Sequence, residues 1–208
     1  MARANKRVGL AVADSVFGPW RRADEPILPT RPGRFDSFLT SNPAPCVRED
    51  GSVLLIYKAR SYEGNLHGGM TIGVAYADHY EGPYRVLSGE PVFPPESFHI
   101  EDPFIWQTAK GYHLIAKDME GRLCGEKYGG IYAESPDGLK WSLHGQPQSY
   151  SRTVRYDDGT VQTLGNLERP FLLFQNGKPT HLFAAVSDGI DGFMDASNTW
   201  NMVIPLKQ

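Results

Sequence analysis

Asn42-Pro43-Ala44-Pro45-Cys46-Val47 opens on prolines, runs into an apolar strand, turns at Glu49-Asp50-Gly51 and returns as Val53-Leu54-Leu55-Ile56-Tyr57. The same order recurs twice. Asp102-Pro103-Phe104-Ile105-Trp106 turns at Ala109-Lys110-Gly111 into Tyr112-His113-Leu114-Ile115-Ala116, and Arg169-Pro170-Phe171-Leu172-Leu173-Phe174 turns at Gln175-Asn176-Gly177 into Thr180-His181-Leu182-Phe183-Ala184. Each turn ends on a glycine, which supplies the positive φ of a tight hairpin without steric cost. The chain therefore holds three copies of one β-hairpin.

A second element recurs outside each hairpin. Val8-Gly9-Leu10-Ala11-Val12-Ala13-Asp14 leads to Gly18-Pro19-Trp20, and Ile72-Gly73-Val74-Ala75-Tyr76-Ala77-Asp78 leads to Gly82-Pro83-Tyr84. Gly130-Ile131-Tyr132-Ala133-Glu134-Ser135 before Asp137-Gly138-Leu139-Lys140-Trp141 repeats it with a shorter turn. The hairpin prolines at 43, 103 and 170 are spaced by 60 and then 67 residues, which suits four strands and their connections. An all-β fold follows, and the repeated inner-then-outer order predicts a β-propeller over a β-sandwich. Read as a single domain over 1–208, residues 1–30 supply an outer hairpin of a first blade. Residues 36–94 supply a second blade, 98–150 a third, and 161–208 a fourth with the start of a fifth, Thr199–Leu206 being one more strand. On this reading the chain is an N-terminally incomplete five-bladed propeller with about four blades present.

Composition limits the function classes. A net charge of -3 gives no basic field for nucleic acid or an anionic membrane surface, so neither partner is expected. The 22 Gly and 16 Pro among 208 residues fit a turn-rich fold. Cys46 and Cys124 lack metal-type spacing and read as buried or half-buried thiols, with one disulfide left open. No apolar signal core follows the basic start and no run reaches transmembrane length, so the chain as written is expected to be cytoplasmic, with export of a longer form left open.

In a propeller the start of each inner strand opens into the channel mouth, so the proline-marked strand mouths are the places to look for chemistry. They bear Asn42, then Glu101 and Asp102, then Glu168 and Arg169. Paired carboxylates from distant segments are what glycosidic cleavage requires, one carrying a proton for the leaving oxygen and one ionised. The plain alternatives are a strand-start carboxylate accepting backbone N–H groups for Asp102, and for Glu168 a surface charge paired with Arg169. Asn42, His99, Glu101, Trp106, Lys117 and Arg169 are candidate substrate contacts. Phe98, Phe104, Trp106 and Trp200 are aromatics for stacking on a sugar or for the inter-blade core. Lys58, Arg60, Lys117 and Asp118 end the second strands, either reaching the channel or closing a turn. The glycine-rich run 119–130 lacks the helix and the Lys-Ser/Thr pair of a phosphate loop and reads as a blade loop. Asp188, Asp191 and Asp195 do not have the spacing of a helix-loop-helix calcium loop.

Asp before Pro in Ile100-Glu101-Asp102-Pro103-Phe104, and Glu two before Pro in Leu167-Glu168-Arg169-Pro170, resemble the marks of five-bladed glycoside hydrolases of family 43, family 117 and the invertase group. The resemblance implies that Glu168 is the general acid and that Asp102 tunes its pKa or stabilises the transition state. It places the remaining carboxylate, a base or nucleophile, on a first-blade inner strand for which this sequence offers no match, since Asn42 cannot ionise. Weak activity as written is therefore expected. The resemblance implies a carbohydrate substrate and no required cofactor, no metal ligand is assigned, and it allows a structural calcium. Sugar, linkage, stereochemistry and oligomeric state stay open. A glycoside phosphorylase using a basic cluster of Lys58, Arg60, Lys117 and Arg169, and a non-catalytic carbohydrate-binding propeller, are the alternatives.

Overall fold

A computed structural model describes residues 2–94 and 99–206. A 3-10 turn at Ala2–Asn5 precedes seventeen strands among the described residues: β1 Ala11–Val12, β2 Arg21–Arg22, β3 Leu39–Val47, β4 Val53–Arg60, β5 Tyr62–Glu63, β6 Leu66–His67, β7 Thr71–Ala77, β8 Arg85–Val86 and β9 Ile100–Thr108. They continue with β10 Gly111–Asp118, β11 Gly130–Ser135, β12 Ser142–Tyr150, β13 Thr153–Arg155, β14 Val161–Thr163, β15 Asn166–Gln175, β16 Lys178–Ser187 and β17 Thr199–Pro205. Three antiparallel blade sheets result, ordered β3-β4-β7-β8, β9-β10-β11-β12 and β15-β16-β17. The expected all-β propeller architecture is present, and the inner strands β3, β9 and β15 lie side by side.

Where local chemistry is strongest the expected strands form. β17 pairs with β16, so the last strand extends the third sheet and does not begin another blade. The N-terminal outer hairpin is slighter than its apolar run suggested: β1 and β2 are two residues each, and Val8 makes only an isolated bridge to Leu28. Gly9 and the short length leave little to pair there. The linker hairpin β13–β14, starting at 153, has only a weak sequence signal, because Val154 alone of its residues packs against a core.

Packing follows from strand alternation, which sends successive side chains to opposite faces. Ala44, Cys46, Leu54, Ile56, Ile72 and Val74 on the first sheet meet Ile100, Ile105, Leu114, Ile131 and Ala133 on the second. Ile115, with Phe104, Trp106 and Tyr132, meets Leu167, Leu172, Leu182, Ala184 and Val186 on the third. The corresponding face of the third sheet is open among the described residues: Phe171 is 52% and Val203 50% exposed, with Leu173 and Phe183 beside them at 37% each. A contiguous apolar patch of this kind promotes association. Phe171→Ser combined with Val203→Thr is expected to lower the fluorescence of a bound hydrophobic dye while moving Tm by only a few degrees, since both side chains are already half in water. Unchanged dye binding would place the sticky surface elsewhere.

Candidate active site

Each inner strand carries the same irregularity. In β3 the residues Asn42 and Pro43 face the single Tyr57, in β9 Asp102 and Pro103 face Ala116, and in β15 Arg169 and Pro170 face Ala184. These are β-bulges, and proline suits them because the extra position has no ladder partner for an N–H. The residue before each proline is left-handed: φ is 47° at Asn42, 53° at Asp102 and 54° at Arg169. Asn and Asp tolerate that conformation, whereas Arg does so at a cost of roughly 1–2 kcal/mol, and such strain concentrates at functional positions.

The bulges fix the correspondence between the two motifs. Asp102 matches Arg169 and Asn42, while Glu168 matches Glu101 and Ser41. Asn42, Asp102, Arg169 and their prolines line one cavity of about 380 Å³ at the channel mouth. Glu101, Asp102 and Glu168 offer oxygens that all lie within 4.8 Å of one another. Carboxyls from two consecutive blades thus converge, as the sequence suggested.

Cations from the second strands hold this cluster together. Lys58 of β4 pairs with Glu101 in the next sheet, and Lys117 of β10 repeats the reach, its Nζ 2.8 Å from Glu168 Oε2 and 3.9 Å from Glu101 Oε1. Lys58 lies opposite Ser41 and Lys117 opposite Glu101, so one register position serves both blades. Lys117 is 1% exposed. Its ammonium sits 4.9 Å from the Tyr128 ring and is taken up by the carboxylates, so in this structure the candidate substrate contact Lys117 is engaged within the chain. Arg169, 62% exposed at its side chain, bridges loosely at 3.9 Å from both Asp102 Oδ1 and Glu168 Oε1.

Asp102 is 4% exposed, accepts the Asn42 side-chain amide on Oδ1, and has no hydrogen bond on Oδ2. Burial, followed by the nearby Glu101 charge, pushes its carboxyl above the ordinary Asp range, with Arg169 opposing. Glu101 goes the other way: burial alone would raise it, but Lys58, then Lys117 and Arg169, together hold it below the ordinary Glu range. Neighbouring carboxyls with opposite shifts can divide proton donation from charge stabilisation.

The Asp102 shift has a stability consequence. A folded pKa above the unfolded one, about 3.9 for Asp, means that the contribution is fully present below about pH 4 and is lost as pH rises through the folded value. Ionised, buried Asp102 is then a liability at neutral pH. Asp102→Asn keeps a residue that tolerates the left-handed backbone and still accepts from Asn42. Its Tm is expected to exceed the wild-type value at pH 7, with the gain fading below about pH 4. A Tm difference independent of pH would contradict the assignment.

The remaining candidates fall outside the cluster. Trp106 lies beyond the bulge, stacked on His113 and Tyr132 and packed against Phe174, in the inter-blade core. His99 sits 3.9 Å from Glu120, with burial lowering its pKa. Arg60 contacts the His67 ring, and Phe98 lies outside the described residues. Asp118 closes a turn: its carboxylate accepts N–H groups from Glu120, Gly121, Leu123 and Cys124. Asn166 was missed, although it stands two residues before Glu168 and hence on the same strand face; its Nδ2 donates to Glu168 Oε2 at 2.6 Å.

The sequence matches no protein-family model and no curated protein. Among solved structures, it is similar to BT0996 in its complex with RGII, with TM-score 0.69 and 15% identity, covering 96% of this protein and 56% of that one. Zg3597, a family 117 glycoside hydrolase of the marine bacterium Zobellia galactanivorans, gives 0.63 and 18%, covering 97% and 52%. A thermostable family-43 glycoside hydrolase gives 0.64 and 14%, covering 97% and 64%. The chain spans between about half and two-thirds of the length of these structures. At such identities the likeness establishes a shared fold, the one the sequence motifs pointed to.

Proposed function

We propose that this chain carries the proton-donating part of a glycoside-hydrolase centre acting on oligo- or polysaccharides, with Glu168 as general acid and Asp102 as the group that tunes it. The observation that carries the reading is the convergence of Glu101, Asp102 and Glu168 at one channel mouth. Glu168 takes its hydrogen bonds from Lys117 and Asn166 on Oε2, which leaves Oε1 with only the loose Arg169 contact at 3.9 Å. The trio is more closely spaced than the roughly 6.5–9.5 Å that an inverting pair needs to hold a water between its carboxyls. On an inverting course the water-activating carboxylate therefore lies outside it, as the resemblance also implies for the base or nucleophile.

The phosphorylase alternative needs free cations at the mouth. Lys58 and Lys117 are taken up by Glu101 and Glu168, and only Arg169 stays exposed, so hydrolysis is favoured. Glu168→Gln is expected to lower the release of reducing ends from a panel of arabino-, xylo- and galacto-oligosaccharides by about 10²- to 10⁴-fold while sugar binding persists. Turnover unchanged by the substitution would remove Glu168 from the chemistry. Binding by wild type with no turnover would instead make the chain a carbohydrate-binding propeller.

A further inference from the structure

On the flank of Glu168 away from Asp102 lies a separate cavity of about 280 Å³, lined by Asn166, Glu168, Ala185, Val186, Ser187, Phe193, Thr199, Trp200 and Asn201. It sits where β15, β16 and β17 reach the channel mouth. Its size is a little below the roughly 300–1,000 Å³ of drug-sized pockets, which suits a single small ring. Two of its lining residues are exposed aromatics, Trp200 at 36% and Phe193 at 57%.

Asn166 gives the site its chemistry. The residue is 2% exposed, its Nδ2 is committed to Glu168, and its Oδ1 accepts nothing within the chain. A buried acceptor left without a donor is costly, so it is a position that a ligand O–H or N–H would satisfy. Ser187 already donates its hydroxyl to Gly192 O, which leaves its oxygen as a further acceptor. With the Glu168 carboxylate, the wall is rich in acceptors, and no Lys, Arg or His is among the described residues that line it. Arg169 belongs to the neighbouring cavity with Asn42 and Asp102.

The geometry points to a subsite for one neutral, hydroxyl-bearing sugar ring, set between Phe193 and Trp200 and donating to Asn166 Oδ1. A uronate or sulfated sugar would bring its anion to the Glu168 carboxylate, whose cations, Lys117 on Oε2 and Arg169 at 3.9 Å from Oε1, are already held on it and do not line the cavity. The assignment rests on the glycoside reading above and narrows it to neutral sugars beside the acid.

The test is a titration of the whole ¹⁵N-labelled chain, following the Trp200 indole and the Asn166 and Asn201 side-chain amides, with release of reducing ends measured on the same samples. Xylobiose, β-1,3-galactobiose and methyl α-L-arabinofuranoside are the neutral probes, and digalacturonate is the anionic one. At least one neutral probe is expected to shift all three groups, digalacturonate none. Asn166→Ala should weaken that neutral probe about tenfold, the loss of one satisfied buried hydrogen bond. Because Asn166 is buried, Trp200→Leu, at an exposed site, is measured alongside and should weaken it comparably. Digalacturonate shifting these groups as strongly, or no neutral probe moving them, overturns the subsite. A neutral probe that shifts them without being cleaved supports the subsite and sinks hydrolysis. Cleavage of a neutral probe with no shift sinks the subsite and spares hydrolysis.

Discussion

Lys117→Met is expected to destabilise the protein by about 3 kcal/mol, roughly 6–12 °C in Tm for a chain of this size. The ammonium is buried, bonds Glu168 at 2.8 Å and lies 3.9 Å from Glu101, so removing it leaves two clustered carboxylates with less to neutralise them. Loss of one partner of a buried pair commonly costs about 3–5 kcal/mol. The lower end applies because the Glu168 side chain is 19% exposed and Glu101 retains Lys58. Met matches the length and apolar stem of Lys, so the cavity cost is small. Adding Glu168→Gln should restore part of the loss, a coupling that a double-mutant cycle measures. If the double variant is no more stable than the sum of the singles predicts, the ion pair contributes nothing and Lys117 acts only as packing.

Asp118→Asn is expected to cost about 2–4 kcal/mol and to loosen the loop at 119–129. Asp118 is 1% exposed, with Oδ1 receiving Glu120 N at 3.2 Å and Gly121 N at 2.9 Å, and Oδ2 receiving Leu123 N at 2.8 Å and Cys124 N at 3.1 Å. An Asn amide must turn its NH₂ toward two of these four donors. The backbone then has N–H groups facing N–H groups in a buried place, and the loop gives way. The effect should reach the site, because the Tyr128 N–H donates to Asp118 O at 2.8 Å and the Tyr128 ring lies against Lys117. Hydrogen exchange would show faster exchange at Gly121, Leu123 and Cys124 together with a lower Tm. Exchange unchanged at those amides would mean that the glycines and the Cys124 contact with Glu126 O order the loop without Asp118.

The same loop shows why its composition misleads. Glycine-rich segments cradle anions when their N–H groups point outward. Four of these point inward at a carboxylate of the chain itself, so the run has no free nest to offer, in agreement with its reading as a blade loop.

The hairpin repeat, the all-β architecture and the strand mouths at which carboxylates gather are all legible in the order of residues. Those features are local: proline and glycine restrict φ, and β-branched and aromatic runs favour strands, whatever lies beyond them. Convergence of Glu101, Asp102 and Glu168 was legible for the same reason, since a repeated strand register puts repeated positions in one place. How the cluster is neutralised was settled only by tertiary structure. Lys58 reaches Glu101 across 43 residues and Lys117 reaches Glu168 across 51, and only the packing of adjacent sheets sets those distances. Trp106 stands three residues past the bulge pair's proline, toward the turn end of β9, so it goes into the inter-blade stack instead of the mouth. The raised carboxyl of Asp102 and the unmet Oδ1 of Asn166 depend on how much water each retains, a property of everything packed around the side chain and of no residue type.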